Sequence, residues 1–138
     1  MTEPSDHSAE NATANIPEGG LQGSPLTGQH ALVTGATRGI GAAIAETLGR
    51  LGADLTLIGR DREMLDERAG RIAGAHGVGV HVETADVSDT ALIDKAFQSA
   101  VAANGQIAIL VNNAGSGKSA PFHKMERALW DSMIAVNL

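Results

Sequence analysis

The segment TGATRGIG, residues 34–41, combines three glycines and an arginine in a spacing that suits phosphate binding. Gly35 would permit a tight turn, Gly39 would let the backbone approach a pyrophosphate, and Gly41 would let a helix pack close to a strand. An apolar run precedes the segment and helical periodicity follows it, so the N–H groups of a helix start would face the anion. This context favours a phosphate-binding turn over a turn that only requires glycine.

The glycine spacing is Gly-x-x-x-Gly-x-Gly, and the segment does not end in Gly-Lys-Ser or Gly-Lys-Thr. The P-loops that bind nucleoside triphosphates end in one of those tripeptides, because the lysine and the hydroxyl hold the phosphates and the magnesium ion. The segment therefore disfavours ATP or GTP as the ligand.

Four short apolar stretches alternate with stretches of helical periodicity after residue 28. The predicted strands are His30–Thr34, Asp54–Ile58, Val78–Thr84 and Ile107–Val111, and a helix follows each of them. Strands that alternate with helices imply right-handed crossovers and a parallel sheet. The sequence therefore predicts an α/β fold.

Local patterns predict further details of these elements. The first helix carries an apolar stripe formed by Ile40, Ile44, Leu48 and Leu51. Ser88 is placed as the N-cap of the third helix. The fourth strand is a continuous apolar run, which is typical of a strand covered on both faces. A last helix begins near residue 126, with one apolar face.

The composition excludes several classes of function. The 138 residues carry 10 basic and 16 acidic side chains, a net charge of -6 and no cysteine. These counts argue against a nucleic-acid partner, a disulfide framework and a thiolate metal site. No run reaches the roughly 18 to 20 apolar residues of a membrane span, and no signal peptide is recognisable. We therefore expect a cytoplasmic protein that holds no metal and binds neither nucleic acid nor membrane.

The first 28 residues differ from the rest of the chain. They contain four acidic residues, three prolines and neither lysine nor arginine. A segment with so few apolar side chains cannot bury enough surface to offset the entropy lost on ordering. We expect residues 1–28 to form a disordered acidic tail and residues 29–138 to form the ordered part.

Four motifs in sequence order resemble the short-chain dehydrogenase/reductase family. They are TGATRGIG, Asp86-Val87 after the third strand, Asn112-Asn113-Ala114-Gly115 after the fourth strand, and Asn137 in the last helix. The resemblance covers residues 29–138 and is nearest to the 3-oxoacyl reductase and tropinone-reductase-like branches. It implies a Rossmann-type doubly wound parallel sheet and hydride transfer between NAD(H) or NADP(H) and a small carbonyl or alcohol. It also implies a homo-oligomer.

Carried over position by position, the resemblance implies a cofactor site built from three connections. The glycine turn contributes Gly35, Thr37, Arg38, Gly39, Ile40 and Gly41. Asp86 and Val87 are implied at the adenine, and Asn113, Ala114 and Gly115 beside the adenosine ribose. Considered without the resemblance, Asp86 could also be an acid in a turn, and residues 112–115 could be a turn after a buried strand.

The end of the second strand bears on the choice of cofactor. Rossmann enzymes that prefer NAD place an acid there for the ribose 2′-hydroxyl, whereas a nearby basic residue accommodates a 2′-phosphate. This chain has Gly59 followed by Arg60, and Arg38 lies in the glycine turn. NADP(H) is therefore predicted over NAD(H). The alternative is that Arg60 and Arg62 are solvated charges at the start of a helix.

Hydride transfer to a carbonyl also needs a proton donor with a suitable pKa. The family uses a tyrosine, a lysine four residues later, a serine and an asparagine. The asparagine alone has a counterpart here, Asn137, with a role in the proton relay. The chain contains no tyrosine, and its isolated histidines are expected to be surface or structural residues. We therefore expect the chain alone to be inactive.

Together these patterns predict the cofactor-binding half of an NADP(H)-dependent oxidoreductase, with the C-terminal half absent. The sheet would stop after the fourth strand and the start of the following helix, which leaves the far edge of that strand unpaired. The alternative is a non-catalytic nucleotide-binding or regulatory protein. A coding frame that continues past Leu138 into Ser and Tyr-x-x-x-Lys would favour the first interpretation.

Overall fold

The computed structural model describes residues 23–116 and 122–137. Most of the predicted acidic tail therefore lies outside the described residues. The strands are β1 (His30–Thr34), β2 (Asp54–Gly59), β3 (Val80–Thr84) and β4 (Ile107–Val111), and the α-helices are α1 (Gly39–Arg50), α2 (Arg62–His76), α3 (Thr90–Asn104) and α4 (Arg127–Asn137). A single 3-10 turn, Phe122–Lys124, precedes α4 within this part of the chain.

The four strands form one parallel sheet in the order β3-β2-β1-β4. Thr34 is paired with Ile58 and Val33 with Val111, so the carboxyl ends of the strands lie at one edge of the sheet. The predicted α/β fold with a parallel sheet is confirmed. Among the described strands β4 has β1 as its only partner, and Leu110 on β4 is 48% exposed. In the described part of the chain one face of β4 is therefore exposed, unlike that of a strand covered on both faces, and the far edge of β4 is unpaired, as predicted.

Helices cover both faces of the sheet because successive side chains of a strand point to opposite sides. Val33 and Leu57 belong to the core on the side of α1 and α2, together with Leu65 and Ile72 of α2. Leu32 and Ile58 point to the other side, where they pack with Ala96 and Ala100 of α3. Leu32, Val33, Leu57 and Ile58 are fully buried. This arrangement is the doubly wound sheet that the family resemblance implies.

Helix α1 packs on the sheet through small side chains and not through the whole predicted apolar stripe. Its buried residues are Gly41, Ala42, Ala45 and Gly49. A Cβ added to Gly49 would lie 2.6 Å from Cγ2 of Ile72, so glycine allows α1 and α2 to approach closely. Ile44 and Leu48 are partly buried, but Ile40 is 74% exposed. Ile40, in the first turn of α1, thus lies outside the core.

The ends of three segments differ from the sequence prediction. Strand β3 begins at Val80, two residues later than predicted. The N-cap of α3 is Asp89, whose carboxylate accepts from the Leu92 N–H at 3.1 Å, and not Ser88. Leu26, in the predicted tail, packs against the core and donates its N–H to the Leu51 carbonyl at 2.9 Å. The packed structure therefore begins before residue 29.

Three histidines have structural partners that their sequence spacing does not predict. His30 is buried and contacts the Thr56 hydroxyl at 2.9 Å and the Gly105 carbonyl at 2.8 Å. His76 pairs with Glu46 at 2.6 Å and His81 with Glu83 at 2.7 Å.

None of the helices in residues 23–116 and 122–137 is long and apolar enough to cross a membrane. The same residues contain no cluster of three His, Asp or Glu side chains suited to a metal ion.

Candidate cofactor-binding cleft

A cleft of about 260 Å³ lies at the carboxyl ends of the four strands. Ligands bind at this edge of open α/β sheets, because the connections after neighbouring strands meet there. The cleft is lined by Gly35, Thr37, Arg38, Ile58, Gly59, Arg60, Ala85, Asp86, Val87, Asn113, Ala114, Gly115, Ser116 and Val136. The structure thus brings most of the sequence-predicted cofactor positions together. Gly39, Ile40 and Gly41 are not among the lining residues and form the adjoining first turn of α1.

The three glycines of the turn are favoured either by a left-handed backbone conformation or by close packing. Gly35 has φ +65°, a left-handed conformation that glycine adopts most easily. A Cβ on Gly41 would collide with the Gly35 carbonyl and with the Asn113 amide. Gly39 has φ +61°, which is also left-handed, so its backbone conformation favours glycine, although a Cβ there would meet no atom within 4 Å and would border open space.

The start of α1 is suited to an anion. Its N-cap residue, Arg38, is extended and its side chain makes no capping hydrogen bond. Helices α2 and α3, in contrast, are capped by the carboxylates of Asp61 and Asp89. No acidic residue lies in the first turn of α1. The N–H groups and the positive dipole end of α1 therefore remain available to a phosphate in the neighbouring cleft.

Thr34 and Asn113 connect the ends of β1 and β4. The Thr34 hydroxyl accepts from the N–H groups of Asn113 and Ala114, at 3.1 and 3.0 Å. The Asn113 side-chain amide donates to the carbonyls of Thr34 and Gly35, each at 3.2 Å. These bonds fix the glycine turn against the connection after β4. The ends of β1 and β4 are thus joined by the Asn113 side chain.

Asp86 takes part in a turn at the third connection. Its Oδ1 accepts from the Ser88 N–H at 2.9 Å and from the Ser88 hydroxyl at 2.7 Å. The hydrogen bond from the Ser88 hydroxyl, the one from the Ser88 N–H and the charge of Arg60 lower the pKa of the Asp86 carboxyl, although burial opposes them. The carboxylate therefore stays ionised at neutral pH. Asp86 is thus an acid in a turn, since its Oδ1 accepts both hydrogen bonds from Ser88. Asp86 also lines the cleft.

Arginines lie beside the cleft at the ends of β1 and β2. Arg38 and Arg60 are exposed and line both this cleft and an adjoining one of about 620 Å³, which Arg62 also lines. Arg62 is paired with Asp66, at 2.9 Å between Nε and Oδ2. Its interpretation as a solvated charge at a helix start therefore agrees with the structure. A Cβ on Gly59 would lie 3.0 Å from Cγ2 of Thr37, so the end of β2 is closely packed against the glycine turn.

Asn137 holds the connection that follows β4. Its Oδ1 accepts from the Ser116 N–H at 3.2 Å, and its Nδ2 donates to the carbonyls of Ser116 and Met133, both at 2.8 Å. A Cβ on Gly115 would lie 2.7 Å from Oδ1 of Asn137, so a side chain at this position would displace the Asn137 amide. Asn137 does not line the cleft, but its neighbour Val136 does.

Several lining residues were not predicted from the sequence. They are Ile58, Gly59, Ala85, Ser116 and Val136. Ile58, Gly59 and Ala85 could have been inferred from their positions at the carboxyl ends of β2 and β3. No sequence pattern distinguishes Val136 from the other apolar residues of α4.

A family model described as short chain dehydrogenase matches residues 29–138. Among curated relatives, the chain is 38% identical over 115 residues to gluconate 5-dehydrogenase of Gluconobacter oxydans. The aligned region covers 82% of this chain and 44% of that protein. The chain is also 38% identical over 113 residues to a 3-oxoacyl-[acyl-carrier-protein] reductase of Aquifex aeolicus, which covers 82% of this chain and 46% of the relative. The chain thus spans less than half the length of these relatives.

Solved structures are similar in fold as well as in sequence. A metagenomic short-chain oxidoreductase in complex with NADP has a TM-score of 0.78 and 46% identity, over 83% of this chain and 52% of that one. L-sorbose reductase from Gluconobacter frateurii, complexed with NADPH and L-sorbose, has a TM-score of 0.74 and 33% identity. The match covers 78% of this chain and 41% of the reductase chain. The family match, the sheet order and the motifs at the strand ends agree, and the chain belongs to the short-chain dehydrogenase family.

Proposed function

We propose that this protein is an oxidoreductase that transfers a hydride between NADP(H) and a small carbonyl or alcohol. Residues 29–138 would form its cofactor-binding half. The observation that carries the proposal is the cleft at the strand ends, which Arg38 and Arg60 line and which the uncapped start of α1 adjoins. Similar proteins whose structures contain NADP or NADPH support the same cofactor class.

The described residues fit a dinucleotide. We assign the pyrophosphate to the turn between Gly35 and Gly41. A Cβ on Gly41 would collide with the Gly35 carbonyl, and within the described residues the first turn of α1 has no capping side chain. The adenine would lie at Asp86 and Val87, where the ionised carboxylate can accept from an amine. The adenosine ribose would lie beside Asn113, Ala114 and Gly115.

The preference for NADP(H) rests on charge. A 2′-phosphate at the end of β2 would meet the guanidinium groups of Arg38 and Arg60, whose planar donors suit phosphate oxygens. Gly59 occupies the position at which NAD-preferring enzymes carry an acid. Asp61 also lines the adjoining cleft, but one of its carboxylate oxygens accepts from the Met64 N–H at 3.1 Å as the α2 cap.

The bound cofactor would supply or receive the hydride, and the residues of this chain would hold it and exclude water. Asn137 remains a predicted relay residue. Its amide is engaged by the Ser116 backbone and the Met133 carbonyl, so it also fixes the backbone next to the cleft. Because the chain contains no tyrosine, we propose that residues 1–138 alone bind cofactor and turn over no substrate.

Titration calorimetry with NADPH and with NADH tests this proposal. The natural full-length protein is expected to bind NADPH more tightly than NADH. Equal affinities would contradict the assigned preference, and binding of neither would contradict the assigned site. Carbonyl reduction by purified residues 1–138 would contradict the proposed inactivity. Binding without turnover by the natural full-length protein would favour a non-catalytic nucleotide-binding role.

A further inference from the structure

Arg68, in the middle of α2, contacts the glycine turn from the side. Its Nη2 donates to the carbonyl oxygen of Thr37 at 3.1 Å, although the two residues are 31 positions apart. Arg68 is half-buried, and its Nε is buried without a hydrogen-bond partner among the described residues. The sequence pattern predicts only that Arg68 shares a helix side with Leu65 and Ile72.

This contact has a cost that an apolar side chain would avoid. A buried guanidinium N–H without an acceptor loses its hydration, and a long side chain loses rotamer entropy when it is fixed. The compensating interaction is a charge-assisted hydrogen bond to one backbone carbonyl, which is stronger than a bond between neutral groups. This hydrogen bond therefore restrains the peptide group that carries the Thr37 carbonyl.

The peptide group that Arg68 holds joins Thr37 to Arg38. In a trans peptide the carbonyl oxygen and the following N–H point in opposite directions, and this structure has no cis peptide in its described part. Arg68 thus fixes the Arg38 N–H in a direction away from α2. Thr37 is held on a second side, because its Cγ2 packs closely against Gly59.

We propose that Arg68 is a positioning residue for the cofactor phosphates. By holding the Thr37 carbonyl, it fixes the orientation of Arg38 and of the uncapped start of α1, which lie next to the cleft. Its positive charge lies behind the turn and adds to the attraction for a phosphate. This inference rests on the proposed function for the identity of the ligand. The contact with the turn is independent of it.

Two variants and one control separate this role from general stabilisation. Arg68→Met keeps the apolar stem and removes the donors, whereas Arg68→Lys keeps the charge and one donating group. Arg71→Met is the control. Arg71 lines a small cleft beside the turn together with Thr37 and Arg68, but it is exposed and makes no hydrogen bond to the turn within the described residues.

The first readout is amide hydrogen exchange in the natural full-length protein without cofactor. The amides of Ala36 and Ala42 report on the turn, since they donate to the carbonyls of Ile58 and Arg38. Arg68→Met is expected to speed exchange at both positions by roughly tenfold or more, while core amides such as that of Leu57 change less. Arg71→Met is expected to change neither. An equal increase at Leu57 would indicate a purely structural role and would overturn the proposal.

The second readout is the dissociation constant for NADPH. Arg68→Met is expected to weaken binding by roughly tenfold, because a hydrogen bond from a charged group is lost. Arg68→Lys is expected to weaken it by less, because an ammonium group keeps the charge but lacks the planar donor geometry of the guanidinium group. If Arg68→Met does not fold, the lysine variant must still show faster exchange at Ala36 and Ala42. Unchanged exchange there would contradict the role of Arg68 whatever the cofactor result. Absence of NADPH binding by the unaltered protein would instead contradict the proposed function.

Discussion

Thr34 and Asn113 exchange hydrogen bonds in both directions across the carboxyl ends of β1 and β4. The Thr34 hydroxyl accepts from the Asn113 N–H at 3.1 Å, and the Asn113 amide donates to the Thr34 carbonyl at 3.2 Å. The two residues are 79 positions apart in the chain. This pair therefore sets the distance between the glycine turn and the connection after β4, which form two walls of the cleft.

Thr34→Val is expected to destabilise the protein. Valine preserves the shape of threonine but leaves the N–H groups of Asn113 and Ala114 without the hydroxyl that accepts from them. Loss of an acceptor by partly buried donors costs about 1–3 kcal/mol in the free energy of unfolding. Urea denaturation at neutral pH measures this difference.

Thr47→Val is the matched control for this change. The Thr47 hydroxyl is exposed and donates only within its own helix, to the Ala43 carbonyl at 2.9 Å. Its replacement should change the free energy of unfolding by less than about 0.5 kcal/mol. Equal losses for Thr34→Val and Thr47→Val would show that the bridge between the strands contributes nothing specific.

Gly41→Ala is expected to lower both stability and NADPH affinity. The new Cβ would collide with the Gly35 carbonyl and the Asn113 amide, and overpacking of this kind costs about 1–3 kcal/mol. Gly74→Ala in α2 is the control, because a Cβ there meets no atom within 4 Å. Alanine in an open helical position stabilises by about 0.5–1 kcal/mol. Thermal denaturation should therefore show shifts of opposite sign, and a stabilised Gly41→Ala would contradict the close packing of the turn.

The parallel sheet and the position of the glycine turn could be predicted because both follow from local patterns. The β1 run, the turn and the start of α1 are contiguous in sequence, and the right-handed crossover leaves few arrangements of the following strands. The motifs after β1, β3 and β4 therefore had to meet at one edge of the sheet. Their meeting requires no knowledge of individual side-chain contacts.

Features that depend on competition or on distant contacts could not be predicted. Ser88 and Asp89 are both good N-cap residues, and Asp89 takes the role because the Ser88 hydroxyl is bonded to Asp86. Helical periodicity cannot distinguish a core side chain from one beside a cleft, and so it placed Ile40 in the apolar stripe. The contact of Arg68 with Thr37 joins two elements without any sequence signal.

Arg60→Asp is expected to weaken the binding of NADPH much more than that of NADH. A carboxylate at this position would repel a 2′-phosphate, whereas it can accept a hydrogen bond from a ribose 2′-hydroxyl. A factor of roughly tenfold to a hundredfold in the ratio of the two dissociation constants corresponds to one charge-assisted contact. Calorimetric titration of the natural full-length protein with each cofactor measures this ratio.

Arg50→Asp is the control for the charge change. Arg50 lies in the last turn of α1, is exposed and does not line the cleft. Its replacement introduces the same charge difference and is expected to leave the ratio of the two dissociation constants unchanged. Equal effects of Arg60→Asp on NADPH and NADH would contradict the assignment of the 2′-phosphate to Arg60.

Ser88→Ala is expected to raise the pKa of the Asp86 carboxyl toward its ordinary value, because the hydrogen bond from the Ser88 hydroxyl is the largest cause of its lowering. A carboxyl whose pKa is lower in the folded state stabilises the fold fully above its unfolded pKa, about 3.9. That stabilisation is lost as the pH falls through the folded pKa. The natural protein should therefore be more stable than the variant at pH 7, and the difference should shrink below about pH 4. Carboxyl NMR titration measures the pKa, and urea denaturation at both pH values measures the stability.

Ser132→Ala is the control, because it removes a hydroxyl bonded to the Leu129 carbonyl. Its difference in the free energy of unfolding from the natural protein should not vary with pH. The same behaviour in Ser88→Ala would contradict the link to Asp86.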